Sequence, residues 1–200
     1  GRAGDVLVMN AHLWHGGPGG YSGVSLHVRR GWTATTTATT TAATATAATA
    51  PVFAPPAFDV QYRAIEVTLD SRVRALSLYV PNGNSDLPAK LAFLGSLRAH
   101  VREAHQAGVQ LLLCGDLNVA RSDLDVHPAM RNPQTIGQRA EERDLFRDLC
   151  DEGLVDLGRA FDPDNHGLYT WWPPWREERR KNHGWRLDYI LAAQSIAARA

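Results

Sequence analysis

The chain has 200 residues, of which 44% are hydrophobic, and it carries 21 basic and 21 acidic residues. This length and this apolar content suit one folded domain with a full-sized core and exclude a disordered chain. No apolar run is long enough to span a membrane, and the N-terminus lacks the charged-then-apolar layout of a signal peptide. The balanced charge gives no support to nucleic-acid binding by the chain as a whole, so such binding requires a local basic cluster.

The cysteine content indicates a reducing compartment. Cys114 and Cys150 are the two cysteines, and Cys114 lies within an apolar segment. This is not the disulfide framework of a secreted domain, so we expect free thiols and a cytoplasmic location.

The N-terminal part combines two short predicted strands with a low-complexity tract. Residues 5–9 and 24–28 are the predicted strands, separated by a Gly- and Pro-rich loop. His12 and His15 have no carboxylate or thiol partner at a recognised spacing, which favours a structural role over a metal site. Residues 33–50 contain only Thr and Ala, and we expect them to form a disordered or weakly ordered insertion.

The middle of the chain predicts two strands followed by a helix. Residues 63–69 and 72–80 have strand character, and the proline after Val80 ends the second strand, which leaves Tyr79 and Asn82 at the edge of a sheet. Apolar residues repeat at helical spacing over residues 89–107, so this segment is predicted to be an amphipathic helix whose basic side chains face solvent.

Residues 109–120, VQLLLCGDLNVA, are the most informative stretch. Their apolar run is short and bounded by glycines, which predicts a strand buried on both faces. The strand ends at Asp116 and Asn118, which point to the same side. A carboxylate that takes a proton from water, beside an amide that holds a phosphate oxygen, suits hydrolysis of a phosphate ester. Taken alone, the motif is equally compatible with a helix cap and a turn.

The C-terminal region contains an aromatic and basic segment. Trp171, Trp172 and Trp175 fall within five positions and are followed by four basic residues in 176–181. Rings beside cations are typical of a nucleic-acid groove. A hydrophobic satellite cluster next to a solvated charge run explains the same composition equally well.

Two further elements complete the C-terminal half. Residues 139–151 predict a helix with ordinary solvent-facing charges, and we predict no catalytic group there. Asp188 lies in an apolar strand, where a carboxylate is costly unless it is paired, hydrogen-bonded or bound to a cation. A second acid near Asp116 would suit binding of a divalent cation.

Together these motifs resemble the exodeoxyribonuclease III / class II AP endonuclease branch of the endonuclease–exonuclease–phosphatase superfamily. They follow that family's order over about residues 14–200, apart from the Thr/Ala tract. The segments that carry the likeness are 20–24 (GYSGV), Arg63 before its strand, 79–83 (YVPNG), 115–120 (GDLNVA), 125–128 (DVHP) and 182–189 (NHGWRLDY). The last of these is specific to the AP endonuclease side of the family.

The resemblance implies an α/β fold, a four-layer α/β sandwich of two packed mixed β-sheets flanked by helices. Residues 1–200 would form a single partial domain of this kind. The implied activity is Mg²⁺- or Mn²⁺-dependent hydrolysis of DNA phosphodiesters in base-excision repair, as an AP endonuclease or a 3′–5′ exodeoxyribonuclease. The implied partner is double-stranded DNA with abasic sites or 3′ ends, with no membrane partner, and the protein is expected to be a monomer.

The resemblance also implies roles for individual residues. Asp116 would orient or deprotonate the attacking water, and Asn118 would hold the phosphate, and both would contact the metal ion. Tyr79 would stabilise the charged phosphate or the leaving group, and Asp188 would belong to an acid–histidine network. The implied DNA contacts are those of Arg63 and Asn82 with phosphates, of Trp171, Trp185 and Leu187 with a flipped-out abasic sugar, and of Trp175 with the groove.

Three parts of the family pattern are not recognisable in the sequence. They are an opening strand with an Asn motif, a following strand that ends in a metal-binding Glu, and a Ser-Asp-His motif after the last strand. We therefore expect an incomplete copy with impaired activity, in which Asp116 and Asn118 bind a cation weakly.

Three alternatives stay open. A catalytically silent DNA-binding module would keep the tryptophans and the basic surface. Residues 4–17 resemble the end of the phytanoyl-CoA dioxygenase iron site, but the 2-His-1-carboxylate set which that Fe(II) chemistry needs is incomplete. The phosphatase branch of the superfamily is the third, and the GWRLDY segment argues against it.

Overall fold

The structure, a computed structural model, describes residues 52–69 and 72–200 in full and the backbone of four short strands before them. Strands β1 (Val8–Asn10) and β2 (Ser25–His27) pair antiparallel, and so do β3 (Ala34–Thr35) and β4 (Ala48–Thr49). The first pair overlaps the two strands predicted there. The second pair lies inside the Thr/Ala tract predicted to be disordered or weakly ordered, where the strand preference of Thr favours this pairing. His12 and His15 lie outside the described residues.

Six strands form one mixed sheet in the order β5-β6-β7-β8-β10-β9. Their bounds are β5 Phe53–Ala54, β6 Ala64–Thr68, β7 Val73–Tyr79, β8 Gln110–Asp116, β9 Leu154–Asp156 and β10 Asp188–Ala193. Strands β7 and β8 are parallel, whereas the other neighbours are antiparallel. The strands predicted on either side of residues 70–71 and the strand before the Gly-Asp-Leu-Asn motif are confirmed.

The helices are α1 (Leu87–Gln106), α2 (Ala140–Asp151), α3 (Leu157–Phe161) and α4 (Gln194–Ala197), with 3-10 turns at Asp123–Asp125 and Pro128–Met130. Both long helices match the segments predicted from periodicity. The side chain of Asp86 accepts a hydrogen bond from the Ala89 N–H and caps α1. No helix in the described part of the chain is both long and apolar enough to cross a membrane.

The main core lies between the sheet and the two long helices. Leu111 and Leu113 of β8 pack there with Leu94 and Leu97 of α1 and with Phe146 of α2. Because side chains alternate along a strand, the residues between these leucines face the other side of the sheet. The predicted α/β fold class is confirmed, and the single-domain organisation stays a prediction.

Both cysteines are free thiols, as predicted. Burial raises the pKa of Cys114 to about 12 and that of Cys150 to about 11. Neither thiol is therefore a reactive thiolate at neutral pH.

Candidate active site

The register of the sheet brings three predicted site residues into one row. Tyr79 is the Cα partner of Asp116 across the parallel β7–β8 ladder, and Asp188 is the Cα partner of Asp116 across the antiparallel β8–β10 ladder. Directly paired residues of neighbouring strands project from the same face of a sheet. Tyr79, Asp116 and Asp188 therefore form one row across the ends of three strands.

Gly115 lets β8 carry Asp116 to this row in close contact with β7. Its φ is +137°, and a Cβ atom built there would clash with the carbonyl oxygen of Leu78. Only glycine combines this backbone conformation with this close approach. The glycine of the Gly-Asp-Leu-Asn motif is thus required by packing beneath the site.

Asn118 then reverses the chain in the left-handed conformation, with φ at +52°. Its backbone N–H donates to Asp116 Oδ1 at 2.8 Å, which closes a local turn. Its carboxamide Nδ2 donates to the Val80 carbonyl at 2.8 Å, and its Oδ1 accepts from Asn82 Nδ2 at 3.3 Å. The turn interpretation of the motif and the placement of two carboxamides beside the acid are both correct.

The electrostatics of the row favour a positive charge beside it. Burial and the nearby negative charge of Asp188 raise the pKa of Asp116 to about 7, against the lowering effects of the Asn118 N–H and Lys90. Burial also raises the pKa of Asp188, and burial together with Asp116 raises that of Tyr79. A cation bound here would offset the cost of ionising these buried carboxyl groups.

The row opens into a cavity of about 1130 Å³, called here the rim cavity. Eight of the ten predicted site residues line it, namely Tyr79, Asn82, Asp116, Asn118, Trp171, Trp175, Trp185 and Leu187. Asp188 lines an adjoining cavity of about 370 Å³, and Thr170 lines both cavities. Arg63 lies over the Tyr79 ring, with its guanidinium carbon 5.4 Å from the ring centroid.

The tryptophans divide between a packed wall and an exposed tip. Trp171 and Trp185 meet edge to face with ring centroids 5.9 Å apart, and they cluster with Leu187. Trp175 is 58% exposed. The guanidinium of Arg179 lies 5.2 Å from the centroid of the Trp172 ring, beside the cavity. The satellite-cluster interpretation fits Trp171 and Trp185, and an interface fits Trp175 and Arg179.

A buried ion pair beneath the turn was not predicted from the sequence. Lys90 of α1 and Glu142 of α2 were assigned to solvent-facing helix surfaces, and that prediction is wrong for both, because their side chains are 0% exposed. Lys90 Nζ donates to the carbonyl oxygen of Asn118 at 2.6 Å. A signal was present, since Lys90 precedes buried Leu94 and Leu97 at the same helical spacing that identified the apolar face of α1.

A second buried charge network supports the other side of the site and was also missed. The Arg186 guanidinium donates to Asp125 Oδ1 at 2.7 Å and to both carboxylate oxygens of Asp156 at 2.9 and 2.7 Å. It also lies 4.4 Å from the centroid of the Tyr189 ring. Asp125 was placed in a polar loop, but its side chain is buried. This network ties the residues before Leu187 and Asp188 to β9.

A mixed sheet with a buried carboxylate, a half-buried carboxylate and two carboxamides at its strand ends, beside a large open cavity, is the arrangement expected of an active or binding site. Residues 2–200 match the model of the Endonuclease/Exonuclease/phosphatase family. The chain belongs to that family.

Individual relatives lie on the DNA-processing side of the family. The chain is 30% identical over 141 residues to an exodeoxyribonuclease of Bacillus subtilis, covering 69% of this chain and 55% of that protein. It is 27% identical over 205 residues to exodeoxyribonuclease III of Haemophilus influenzae, covering 96% of this chain and 72% of that protein. The structure of a 3′ phosphatase from Neisseria bound to product DNA hairpin aligns with a TM-score of 0.65 and 31% identity, over 74% of this chain and 61% of that one. This chain thus spans little more than half the length of the Bacillus relative and about seven tenths of the length of the Haemophilus one.

Nucleases of this family generally use a divalent metal ion. Mg²⁺ binds through one or two carboxylates and keeps several waters. Asp116 and Asn118 offer a carboxylate and a carboxamide oxygen, which fits that preference. Over residues 52–69 and 72–200, no three His, Cys, Asp or Glu side chains converge into a fuller ligand set.

Proposed function

We propose that the rim cavity holds a DNA phosphodiester and hydrolyses it, as a Mg²⁺-dependent AP endonuclease or 3′–5′ exodeoxyribonuclease of base-excision repair. The observation that carries this proposal is the convergence of Tyr79, Asn82, Asp116 and Asn118 on one cavity walled by tryptophans. The DNA-processing relatives support the choice of DNA as substrate.

The chemistry assigned to each residue follows from its surroundings. Asp116 supplies the carboxylate that takes a proton from water, and a cation bound beside it would lower its pKa from about 7 and keep it ionised at neutral pH. The carboxamides of Asn82 and Asn118 donate to phosphate oxygens. Tyr79 keeps its proton because its pKa is raised, so its hydroxyl donates to the phosphate or the leaving oxygen. A Mg²⁺ or Mn²⁺ ion held by Asp116 and Asn118 would neutralise phosphate charge and position the water.

Substrate selection is assigned to the tryptophan wall. Trp171, Trp185 and Leu187 offer an apolar surface for the sugar of a flipped abasic nucleotide. Exposed Trp175 packs against the groove, and Arg63 contacts a phosphate. A monomeric state and a cytoplasmic location stay predictions.

The test is cleavage of a synthetic duplex with one abasic site, compared with the same duplex without it. We expect Mg²⁺- or Mn²⁺-dependent nicking at the abasic site that a chelator abolishes. Equal rates of cleavage for the two duplexes would overturn the assignment of substrate selection to the tryptophan wall. Absence of nicking, together with salt-sensitive duplex binding that persists without metal, would show a silent DNA-binding module instead.

A further inference from the structure

We infer that the buried Lys90–Glu142 pair positions the two phosphate-holding carboxamides, those of Asn82 and Asn118, as one unit. Lys90 is a positioning residue in this inference, because it reaches the site through other groups. The catalytic consequence rests on the proposed function, whereas the positioning itself does not.

Stapling two helices does not by itself require this pair. Both side chains are 0% exposed, with Lys90 Nζ 2.5 Å from Glu142 Oε1. Well-packed apolar residues commonly replace such a buried pair without loss of stability. Helices α1 and α2 are also joined by the more exposed Arg98–Asp148 pair at 2.8 Å. What a lysine supplies and an apolar residue lacks is a donor.

The Lys90 ammonium donates to the backbone of the turn formed by residues 116–118. Lys90 Nζ lies 2.6 Å from the Asn118 carbonyl oxygen. Gly137 closes the other side, since a Cβ there would lie 3.1 Å from the same oxygen. Enclosing the carbonyl fixes the peptide plane after Asn118, and with it the left-handed residue whose carboxamide points at Val80 and Asn82.

The stem of the same lysine supports the loop that carries Asn82. A Cβ atom on Gly83 would lie 2.8 Å from Lys90 Cδ, so the aliphatic chain passes directly against this loop. Gly83 has a φ of +89°, a backbone conformation that favours glycine, and the close Lys90 chain leaves little room for a side chain at this position. One side chain thus contacts the backbone next to both carboxamides.

Glu142 extends the unit to the tryptophan wall. Its Oε2 accepts from the N–H groups of Gly137 at 2.6 Å and Arg139 at 3.2 Å. Gly137 in turn accepts from Ala120 N–H at 2.7 Å and packs against the Trp185 ring. The pair therefore connects the acid-bearing turn, the Asn82 loop and the pocket wall.

The experiment compares K90M with the double variant K90M/E142Q and with R98M as the matched control. The Gln in the double variant keeps one carboxamide oxygen, which can accept from both Gly137 and Arg139 as Oε2 does, while removing the unpaired charge. Arg98→Met removes a pair between the same two helices away from the turn. The readouts are thermal stability and the side-chain amide signals of Asn82 and Asn118 in ¹H–¹⁵N spectra of the whole chain.

We expect the double variant to recover most of the stability that K90M loses, while its Asn82 and Asn118 amide signals stay shifted and exchange faster with solvent. R98M should leave both signals in place. Wild-type amide signals in the double variant would overturn the inference. If the variants do not fold, a measurement on the wild-type chain tests the inference instead. We expect a through-hydrogen-bond coupling between Lys90 ¹⁵Nζ and the Asn118 carbonyl carbon. Its absence would contradict the inference.

Kinetics add a second readout. In the abasic-duplex assay the double variant should lose about tenfold to a hundredfold in kcat, because small misplacements of positioned groups have costs of this size. KM should change less than about threefold, because the binding wall is kept. An unchanged kcat would contradict the positioning role. If the wild-type chain does not cleave DNA, the proposed function fails, and the amide signals still decide the positioning.

Discussion

Asp116 is a buried acid whose ionisation opposes folding. Its ordinary pKa is 3.8 and its pKa in the fold is about 7. Between these two values the folded chain keeps a proton that the unfolded chain has lost. The stability that protonated Asp116 contributes is therefore complete below about pH 4 and is lost as the pH rises through about 7.

Replacing Asp116 with Asn should stabilise the chain at alkaline pH. Because the amide cannot ionise, we expect a gain of about 2–4 kcal/mol in the free energy of unfolding at pH 8 and almost none at pH 4.5. Urea unfolding at the two pH values measures this. An equal gain in stability at both pH values would show that burial and Asp188 do not raise the pKa of the Asp116 carboxyl. Mg²⁺ should stabilise the wild-type chain at pH 8 more than D116N.

At the scale of single residues, the sequence identified the polar side chains of the site but not the buried ion pairs that hold them in place. Asp116, Asn118 and Tyr79 stand at strand ends beside Gly and Pro, where local rules place functional groups. Lys90 and Glu142 were assigned to solvent because charged residues in amphipathic helices usually lie there. Only a partner from a distant segment makes their burial possible, and local patterns do not encode that partner.

At the scale of elements, Gly115 is the tightest constraint on strand β8. Gly115→Ala should destabilise the fold by about 3 kcal/mol or more, because it combines a forbidden φ with a clash against Leu78. Gly95→Ala in α1 is the control, since no atom lies within 4 Å of its added Cβ. That change should stabilise by about 0.5–1 kcal/mol. Denaturant unfolding compares the two, and similar effects would contradict the packing described for β8.

The Arg186 network holds β9 against the loop that contains Asp125. Arg186→Met removes the main partner of the buried Asp156 carboxylate and one of the two arginine partners of Asp125, the other being Arg159 at 2.6 Å, and should cost about 3–5 kcal/mol. Arg147→Met removes an exposed pair with Asp144 on α2 and should change stability by less than about 0.5 kcal/mol. Thermal unfolding measures both. A small effect at Arg186 would mean that the network is incidental to the fold.

The long elements were predictable because their patterns are local. Helical spacing located α1 and α2 to within about two residues of their ends, and the apolar run located β8. The register that sets Asp188 opposite Asp116 was not contained in any such pattern. It depends on pairing between strands far apart in sequence, and the family resemblance was what indicated it.

At the scale of the whole molecule, DNA binding has to come from a local surface because the formal net charge is zero. Arg179 and Trp175 line the rim cavity, so they are the candidates for that surface. Arg179→Gln should weaken duplex binding and reduce the slope of log K against log salt by about 1. Arg147→Gln, on the exposed side of α2, should change neither. Fluorescence anisotropy over a salt series measures the slope, and equal slopes for the two variants would contradict the assignment.

In the proposed function, Asp116 activates the water that hydrolyses a DNA phosphodiester. The most direct measurement is the rate at which the wild-type chain and D116N nick an abasic duplex with Mg²⁺ at pH 7.5. We expect the wild-type rate to exceed that of D116N by about a hundredfold or more, because a carboxamide cannot take a proton from water. Equal rates for the two proteins would contradict it.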